Sequence, residues 1–167
     1  MSFLLVIRHA IAEERAEFAG ADDAERPLTA EGRRKMRQAA RALRALVPEL
    51  SLIATSPFRR ARQTADIVAE AYGGLVPRVT AALQPGSDGA ALLKFLEAER
   101  GLEAAAVVGH EPTLGRQASF LLSGRQDSFL ELKKGAAALL ELDSGWRAGG
   151  ARLCWLLQPA QLRRLAG

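Results

Sequence analysis

Phe3-Leu4-Leu5-Val6-Ile7-Arg8-His9-Ala10 is the stretch whose reading decides the fold. Five apolar residues in succession, without polar alternation, read as a strand covered on both faces, as in the interior of a parallel sheet. The run ends abruptly in a guanidinium and an imidazole. In open α/β sheets the carboxyl ends of the strands are where ligands bind. Taken alone, this end has two readings: Arg8 and His9 mark where the strand reaches water, or something outside the sheet uses them.

The chain after Ala10 supplies further strands with the same kind of ending. The polar segment 13–26, from Glu13 to Arg26, has weak periodicity and reads as a long loop with room for one helical turn; long loops in compact domains are often functional. Thr29 follows as an N-cap. Met36, Ala39, Ala40, Leu43, Leu46 and Val47 then recur at helical spacing, and Pro48 stops the helix. A second strand is expected over 50–56, with Pro57 opening a helix over 58–72 that Gly73-Gly74 ends. A short strand falls within 75–83. A turn at 84–87 leads to Ser87 or Asp88 as the cap of a third helix, ending near Gly101. The run 104–109 is another buried strand, entering His110-Glu111-Pro112, and a fourth helix ends before Gly124. Two late strands, 136–142 and 152–157, flank a glycine-rich turn and form an antiparallel pair. Strands alternating with helices predict an α/β domain with a mainly parallel sheet, one domain over 1–167.

Composition narrows the function classes. Of 167 residues, 49% are hydrophobic and 25% charged, which is globular composition with enough chain for a full core. The formal charge of +4 comes mostly from arginine. No basic run or interleaved aromatic pattern points to nucleic acid, whereas a mild basic excess suits an anionic substrate. The one cysteine, Cys154, allows no internal disulfide and is expected to pack as a small hydrophobe within Leu153-Cys154-Trp155-Leu156-Leu157. No apolar stretch is long enough to span a bilayer, and Met1-Ser2 leads directly into the first strand. The expectation is a soluble cytoplasmic protein without a signal peptide.

The sequence contains two histidines, and both stand at the C-terminal end of a predicted central strand. In a parallel sheet His9 and His110 then reach the same edge. A third element arrives there: strand two ends in Thr55-Ser56-Pro57, and the next helix opens with Phe58-Arg59-Arg60-Ala61-Arg62. A helix N-terminus attracts anions, so arginines in its first turn are a poor structural choice unless an anion binds between them. Arg59 and Arg62 read as the solvated members. Guanidinium matches a phosphoryl group in planar, bidentate fashion. Imidazole can be a metal ligand, a general base or a nucleophile. Two histidines without cysteine neighbours or His-x-x-His spacing make a poor metal site, and the surrounding cations would repel a divalent ion. Phosphoryl chemistry with a histidine nucleophile remains, and nearby arginines would keep an imidazole neutral while stabilising the transferring group.

Arg8-His9 closing the first strand, Ser56-x-x-x-Arg60-Ala61-x-Gln63-Thr64 after the second, and Gly109-His110 closing a later one resemble the histidine phosphatase superfamily, the fold group of the phosphoglycerate mutases and acid phosphatases. The short chain, Arg26-Pro27-Leu28-Thr29-x-x-Gly32 and Val108-Gly109-His110-Glu111-Pro112 resemble, within it, the SixA type of small phosphohistidine phosphatases. The resemblance implies a phosphoglycerate mutase-like three-layer sandwich, with helices on both faces of the sheet. It implies that His9 takes the phosphoryl group as a covalent phosphohistidine, that Arg8, Arg60 and His110 hold its oxygens, and that water hydrolyses the intermediate without metal or organic cofactor. Ser56 and Glu111 complete the expected substrate-binding set.

Two positions depart from the superfamily pattern. Ala10 stands where the usual triplet Arg-His-Gly has glycine. Leu83-Gln84-Pro85 falls where many larger members carry a glutamate proton donor, and a glutamine cannot act as that acid; Asp88 and Glu111 are the nearby carboxylates. A missing acid suits a leaving group that needs little help, such as a phosphorylated imidazole. Three functions stay open: a signalling phosphatase acting on phosphohistidine in a protein, for example a histidine phosphotransfer domain; a phosphatase of a small phosphorylated metabolite; and a non-catalytic phosphate-binding module. Segment 13–26 is the expected wall of the site.

Overall fold

A computed structural model of the chain describes residues 1–99 and 101–167. The chain alternates as anticipated: β1 (Ser2–Arg8), α1 (Ala30–Leu46), β2 (Leu52–Thr55), α2 (Arg59–Ala71), β3 (Arg78–Val79), α3 (Gly89–Ala98), β4 (Ala104–Gly109), α4 (Thr113–Ser123), β5 (Ala137–Leu142), β6 (Ala151–Leu157) and α5 (Pro159–Leu165). The six strands form one sheet in the order β3-β2-β4-β1-β5-β6. β3, β2, β4 and β1 run parallel, while β5 is antiparallel to both β1 and β6.

β1 lies inside the sheet, which is why its apolar run is continuous: Leu5 and Ile7 pack on one face, Leu4 and Val6 on the other. The first face is covered by Met36, Ala39 and Leu43 of α1, Ala61, Ala65 and Val68 of α2, and Leu162 of α5. The second is covered by Leu92 and Leu96 of α3 and Leu114, Ala118 and Leu121 of α4. This is a three-layer α/β sandwich with helices on both faces of the sheet, and period-two alternation assigns each β1 residue its layer.

Local signals set the element ends. The Thr29 hydroxyl accepts the Gly32 N–H at 2.9 Å at the start of α1, and the Asp88 carboxylate accepts from the Ala91 N–H at 2.8 Å at the start of α3. Gly124 ends α4 in the left-handed region, φ 77°, with its N–H on the Phe120 carbonyl. Segment 13–26 contains one 3-10 turn, Asp23–Glu25, and its ends are pinned by a bridge between Ala12 and Leu28.

Some expectations change. β2 is shorter than 50–56, and Pro57 precedes the N-cap residue Phe58 rather than entering the helix. Leu46 is 40% exposed, while Leu43 and Val47 on either side of it stay in the core. Cys154 is exposed rather than packed as a small hydrophobe. It falls at the irregularity where β6 pairs Trp155 with Leu139 and Leu153 with Leu140, so an extra residue interrupts the in–out alternation. α5, absent from the sequence reading, opens with Pro159 and a reciprocal Gln158–Gln161 capping box and buries Leu162.

α1 approaches the chain after β1 so closely that a Cβ on Gly32 would lie 2.1 Å from the Ile11 carbonyl oxygen. Alanine normally stabilises a helix relative to glycine. At this position Gly32→Ala is expected to destabilise by about 1–3 kcal/mol through overpacking, measured by urea unfolding. A neutral or stabilising result would contradict the close approach.

Candidate active site

The parallel pairing of β1 with β4 sets Arg8 opposite Gly109, so the residues just beyond, His9 and His110, emerge side by side. The His9 N–H donates to the Gly109 carbonyl at 2.9 Å, and the two imidazole centroids are 5.1 Å apart. β2 pairs with β4 on the other side, Thr55 opposite Val108, and brings Ser56 and the start of α2 to the same edge. His9 (5% exposed), His110 (3%), Arg60 (5%) and Ser56 (0%) are all buried there, with Arg8 half-buried beside them. Arg59 and Arg62 are exposed, as anticipated.

Hydrogen bonding sets the tautomer of His9 and the orientation of His110. His9 Nδ1 lies 2.7 Å from the Ala10 carbonyl oxygen, which can only accept, so Nδ1 carries the proton and Nε2 the lone pair. His110 Nε2 lies 2.7 Å from Ser56 Oγ. That oxygen also accepts the Phe58 N–H and keeps one lone pair and its proton, so it holds His110 Nε2 in either tautomer. Burial depresses the His9 pKa to about 3, aided by the charges of His110, Arg60 and Arg8 and opposed by the Ala10 carbonyl. Burial, Arg60 and Arg8 likewise hold His110 down to about 3. Both rings are neutral at ordinary pH.

The two guanidiniums are anchored from opposite sides. Arg8 Nη1 donates to the Leu132 carbonyl at 2.8 Å. Arg60 Nη1 donates to the Asp23 carbonyl at 2.9 Å, and Nη2 to Asp23 Oδ2 at 3.2 Å. Burial pulls both arginines below their ordinary range, opposed by Glu111 and Glu131 at Arg8 and by Asp23 at Arg60; a guanidinium stays charged regardless. Among the described residues, Arg8 Nε and Arg60 Nε are buried donors without a hydrogen-bond partner, and His110 Nδ1 is a buried ring nitrogen without one. Unpaired buried donors are costly. Two of them on a cationic, imidazole-lined edge suit the acceptor oxygens of an oxyanion.

Asp23 is the residue that sequence reasoning missed. Its carboxylate serves Arg60, Arg26 (3.0 Å) and Arg15 (3.3 Å), tying segment 13–26 to the start of α2. Burial raises its pKa, but the Arg26 hydrogen bond and the charges of Arg60, Arg26 and Arg15 outweigh this and hold it below the usual carboxylate value. The sequence signal was faint: an acid three residues before an arginine in an otherwise polar loop. Gln63 and Thr64, noticed only as motif members, also have structural tasks. Gln63 Oε1 accepts the Leu28 N–H at 2.8 Å, and Thr64 Oγ1 accepts the Ala10 N–H at 3.0 Å, fixing the chain on either side of segment 13–26.

Other expected site residues sit differently. Ser56 is fully buried against His110 and the Phe58 N–H, so it orients His110 instead of lining a substrate surface. Glu111 is half-buried at the start of α4. Burial raises its carboxyl pKa, opposed by Arg8 and by hydrogen bonds from the Gly115 and Leu132 backbones. Glu111 and Arg8 therefore hold Leu132 by its N–H and its carbonyl respectively. Asp88 is exposed and occupied in capping α3, and Gln84 closes a 3-10 turn, Ala81–Leu83. Among the described residues no three His, Cys, Asp or Glu side chains gather as a metal site, and no helix is long and apolar enough to cross a membrane.

Two outcomes follow from this geometry. Proton NMR of the two histidines should show neither ring titrating between pH 8 and pH 5; a midpoint near the ordinary 6.5 would contradict the buried neutral pair. The linked effect has a definite sign. The unfolded chain takes up protons first as pH falls from 6.5 toward 3, so stability held above 6.5 declines across that window. Asp23→Asn should lower kcat/KM about tenfold by loosening Arg60, since hydrogen bonds to charged groups are worth about 1.5–3 kcal/mol. Arg15→Ala, which removes an exposed pair, should change kcat/KM less than about twofold. Equal effects of the two variants would remove Asp23 from the account.

Comparison with known proteins agrees with this geometry. The model of the histidine phosphatase superfamily (branch 1) matches residues 4–85, which include Arg8, His9 and Arg60. An uncharacterised protein of Picosynechococcus sp. is 40% identical over 152 residues, covering 90% of this chain and 87% of its own. The structure of the protein histidine phosphatase SixA complexed with tungstate superposes with a TM-score of 0.82 at 26% identity, over 96% of this chain and 99% of that one. The alpha-ribazole phosphatase of Shigella flexneri, at 15% identity, shares the fold with a TM-score of 0.73 over 94% of this chain and 96% of its own. Since the matched segment carries β1 with its Arg8-His9 ending and the whole chain follows the same architecture, the protein belongs to the histidine phosphatase superfamily and is a phosphatase.

Proposed function

We propose that this phosphatase removes the phosphoryl group from phosphohistidine in a partner protein, through a covalent intermediate on His9. The observation that carries the reading is the tautomer of His9: a neutral, buried imidazole whose Nδ1–H is held by Ala10, leaving Nε2 as the free lone pair beside two arginines. The Nε2 lone pair attacks phosphorus, and the bond from phosphorus to the substrate imidazole breaks, returning its electron pair to that nitrogen. A phosphorylated imidazole protonated on its distal nitrogen departs as neutral imidazole, so no acid need donate a proton. That suits a site where Gln84 stands at the family's acid position and Asp88 is engaged as a helix cap. Arg8, Arg60 and His110 Nδ1 would donate to the equatorial oxygens, where charge stabilisation and positioning do most of the work.

The phosphoryl group then sits on His9 Nε2 while Nδ1 keeps its proton on the Ala10 carbonyl. The ring is a cation in this state and a good leaving group. A water molecule attacks phosphorus, the P–Nε2 bond breaks, and its electron pair restores the neutral imidazole as inorganic phosphate departs. The likeness to a SixA protein histidine phosphatase that binds tungstate, a tetrahedral oxyanion, supports the substrate class.

The test compares rates on a phosphohistidine-bearing protein with rates on a panel of phosphorylated metabolites, each with and without a chelator. Preference for the phosphohistidine protein, no effect of the chelator, and loss of more than about a thousandfold in His9→Ala are expected. A strong metabolite preference would replace phosphohistidine as the substrate, and retained turnover in His9→Ala would remove the covalent route.

A further inference from the structure

The start of α2 carries a residue that helix chemistry does not explain. N-cap positions favour Ser, Thr, Asp or Asn, whose side chains accept a free N–H of the first turn; replacing them with an apolar residue costs about 1 kcal/mol. In this chain the N-cap is Phe58, with no side-chain cap bond and no acidic residue in the first turn. The phenyl ring is half-buried and half-exposed. Its centroid lies 5.2 Å from that of His110, near edge-to-face at 66°, and Arg60 Cζ lies 5.1 Å from it over the ring. The Phe58 N–H is held by Ser56 Oγ, the atom that also orients His110. One aromatic ring therefore touches two groups of the phosphoryl-binding edge, is fixed to them by backbone bonding, and still reaches solvent.

We propose that Phe58 is the specificity-determining residue for the leaving group, an aromatic wall that stacks on a planar ring as it departs from phosphorus. Of the side chains around the reacting edge, His9, His110, Arg8 and Arg60 are committed to the phosphoryl group. Phe58 adjoins them without offering a hydrogen bond, so what it can recognise is shape and π-character. A planar, aromatic, transiently cationic group such as a phosphorylated imidazole gains both stacking and cation–π attraction from such a wall. An alkyl leaving group gains only apolar contact. This inference rests on the phosphohistidine reading for the identity of the ring, but not for the preference itself.

Three probes separate the two: N-phosphoimidazole, phenyl phosphate and cyclohexyl phosphate, each measured as kcat/KM. The phenyl-to-cyclohexyl ratio contains the intrinsic difference in leaving-group chemistry, which cancels when variants are compared. Phe58→Leu should lower the phosphoimidazole-to-cyclohexyl and phenyl-to-cyclohexyl ratios by about three- to tenfold. Phe58→Tyr should restore both ratios, and thermal unfolding of each variant reports whether the fold is intact. If Phe58→Leu lowers all three substrates equally, Phe58 only packs His110 and Arg60 and the proposal is overturned. If Phe58→Leu does not fold, Phe58→Tyr and Phe58→Trp decide: ratios that stay at or above the unsubstituted value sustain the wall, and a fall in both overturns it. If the unsubstituted protein ignores phosphoimidazole yet turns over phenyl phosphate, the phosphohistidine reading fails, and the phenyl-to-cyclohexyl ratio alone judges Phe58.

Discussion

The register between β1 and β4 is the constraint on which the site depends. Six consecutive pairs, from Phe3 with Ala104 to Arg8 with Gly109, place His9 and His110 at the same height on adjacent strands. A slip of one residue would send Leu4 and Val6 to the wrong layer and turn every β1 side chain over, so the packing of both cores locks the register. The geometry of the candidate site is in this sense a by-product of burial: the core decides where the strands end relative to each other, and the strand ends carry the two histidines.

What the strand ends carry is expensive. Two guanidiniums and one imidazole hold buried nitrogens left unpaired, and the carboxylate bonded to Arg60 belongs to Asp23. Burial and like charge are answered by deprotonation at His9 and His110, and by backbone carbonyls at Arg8 and Arg60. The arrangement favours a tetrahedral oxyanion, because guanidinium N–H groups without partners and two neutral imidazoles meet at one edge. Asp23, Gln63, Thr64 and Leu132 form a supporting layer that fixes the direction of the guanidiniums and the Ala10 peptide. Ala10, the residue that departs from the family triplet, has its backbone fully engaged, with its N–H on Thr64 and its carbonyl on His9.

Much of this was legible in the sequence because it rests on local rules. The continuous apolar runs of β1 and β4, the Thr29 cap, the α3 cap narrowed to Ser87 or Asp88, and the placement of both histidines after buried strands required no knowledge of tertiary contacts. Distinguishing Arg60 from Arg59 and Arg62 came from the family motif, and the helical period explains it: Arg60 and Ala61 turn inward with Thr64, while Arg59 and Arg62 face water. Asp23 was not legible, since its partner lies 37 residues away. Cys154 was misjudged because one extra residue in β6 breaks the alternation, and nothing in Leu153-Cys154-Trp155 announces it. α5 is short and its apolar content is slight, so only its capping pattern could have revealed it.

The central claim is that His9 Nε2 becomes covalently phosphorylated, and rapid acid or alkaline quench followed by peptide mass spectrometry tests it most directly. The account predicts, during turnover, one added phosphoryl group on the peptide containing His9, stable to alkali, labile to acid and absent in His9→Ala. The same modification found on His110 instead, or substrate turnover with no phosphorylated peptide under either quench, would contradict it.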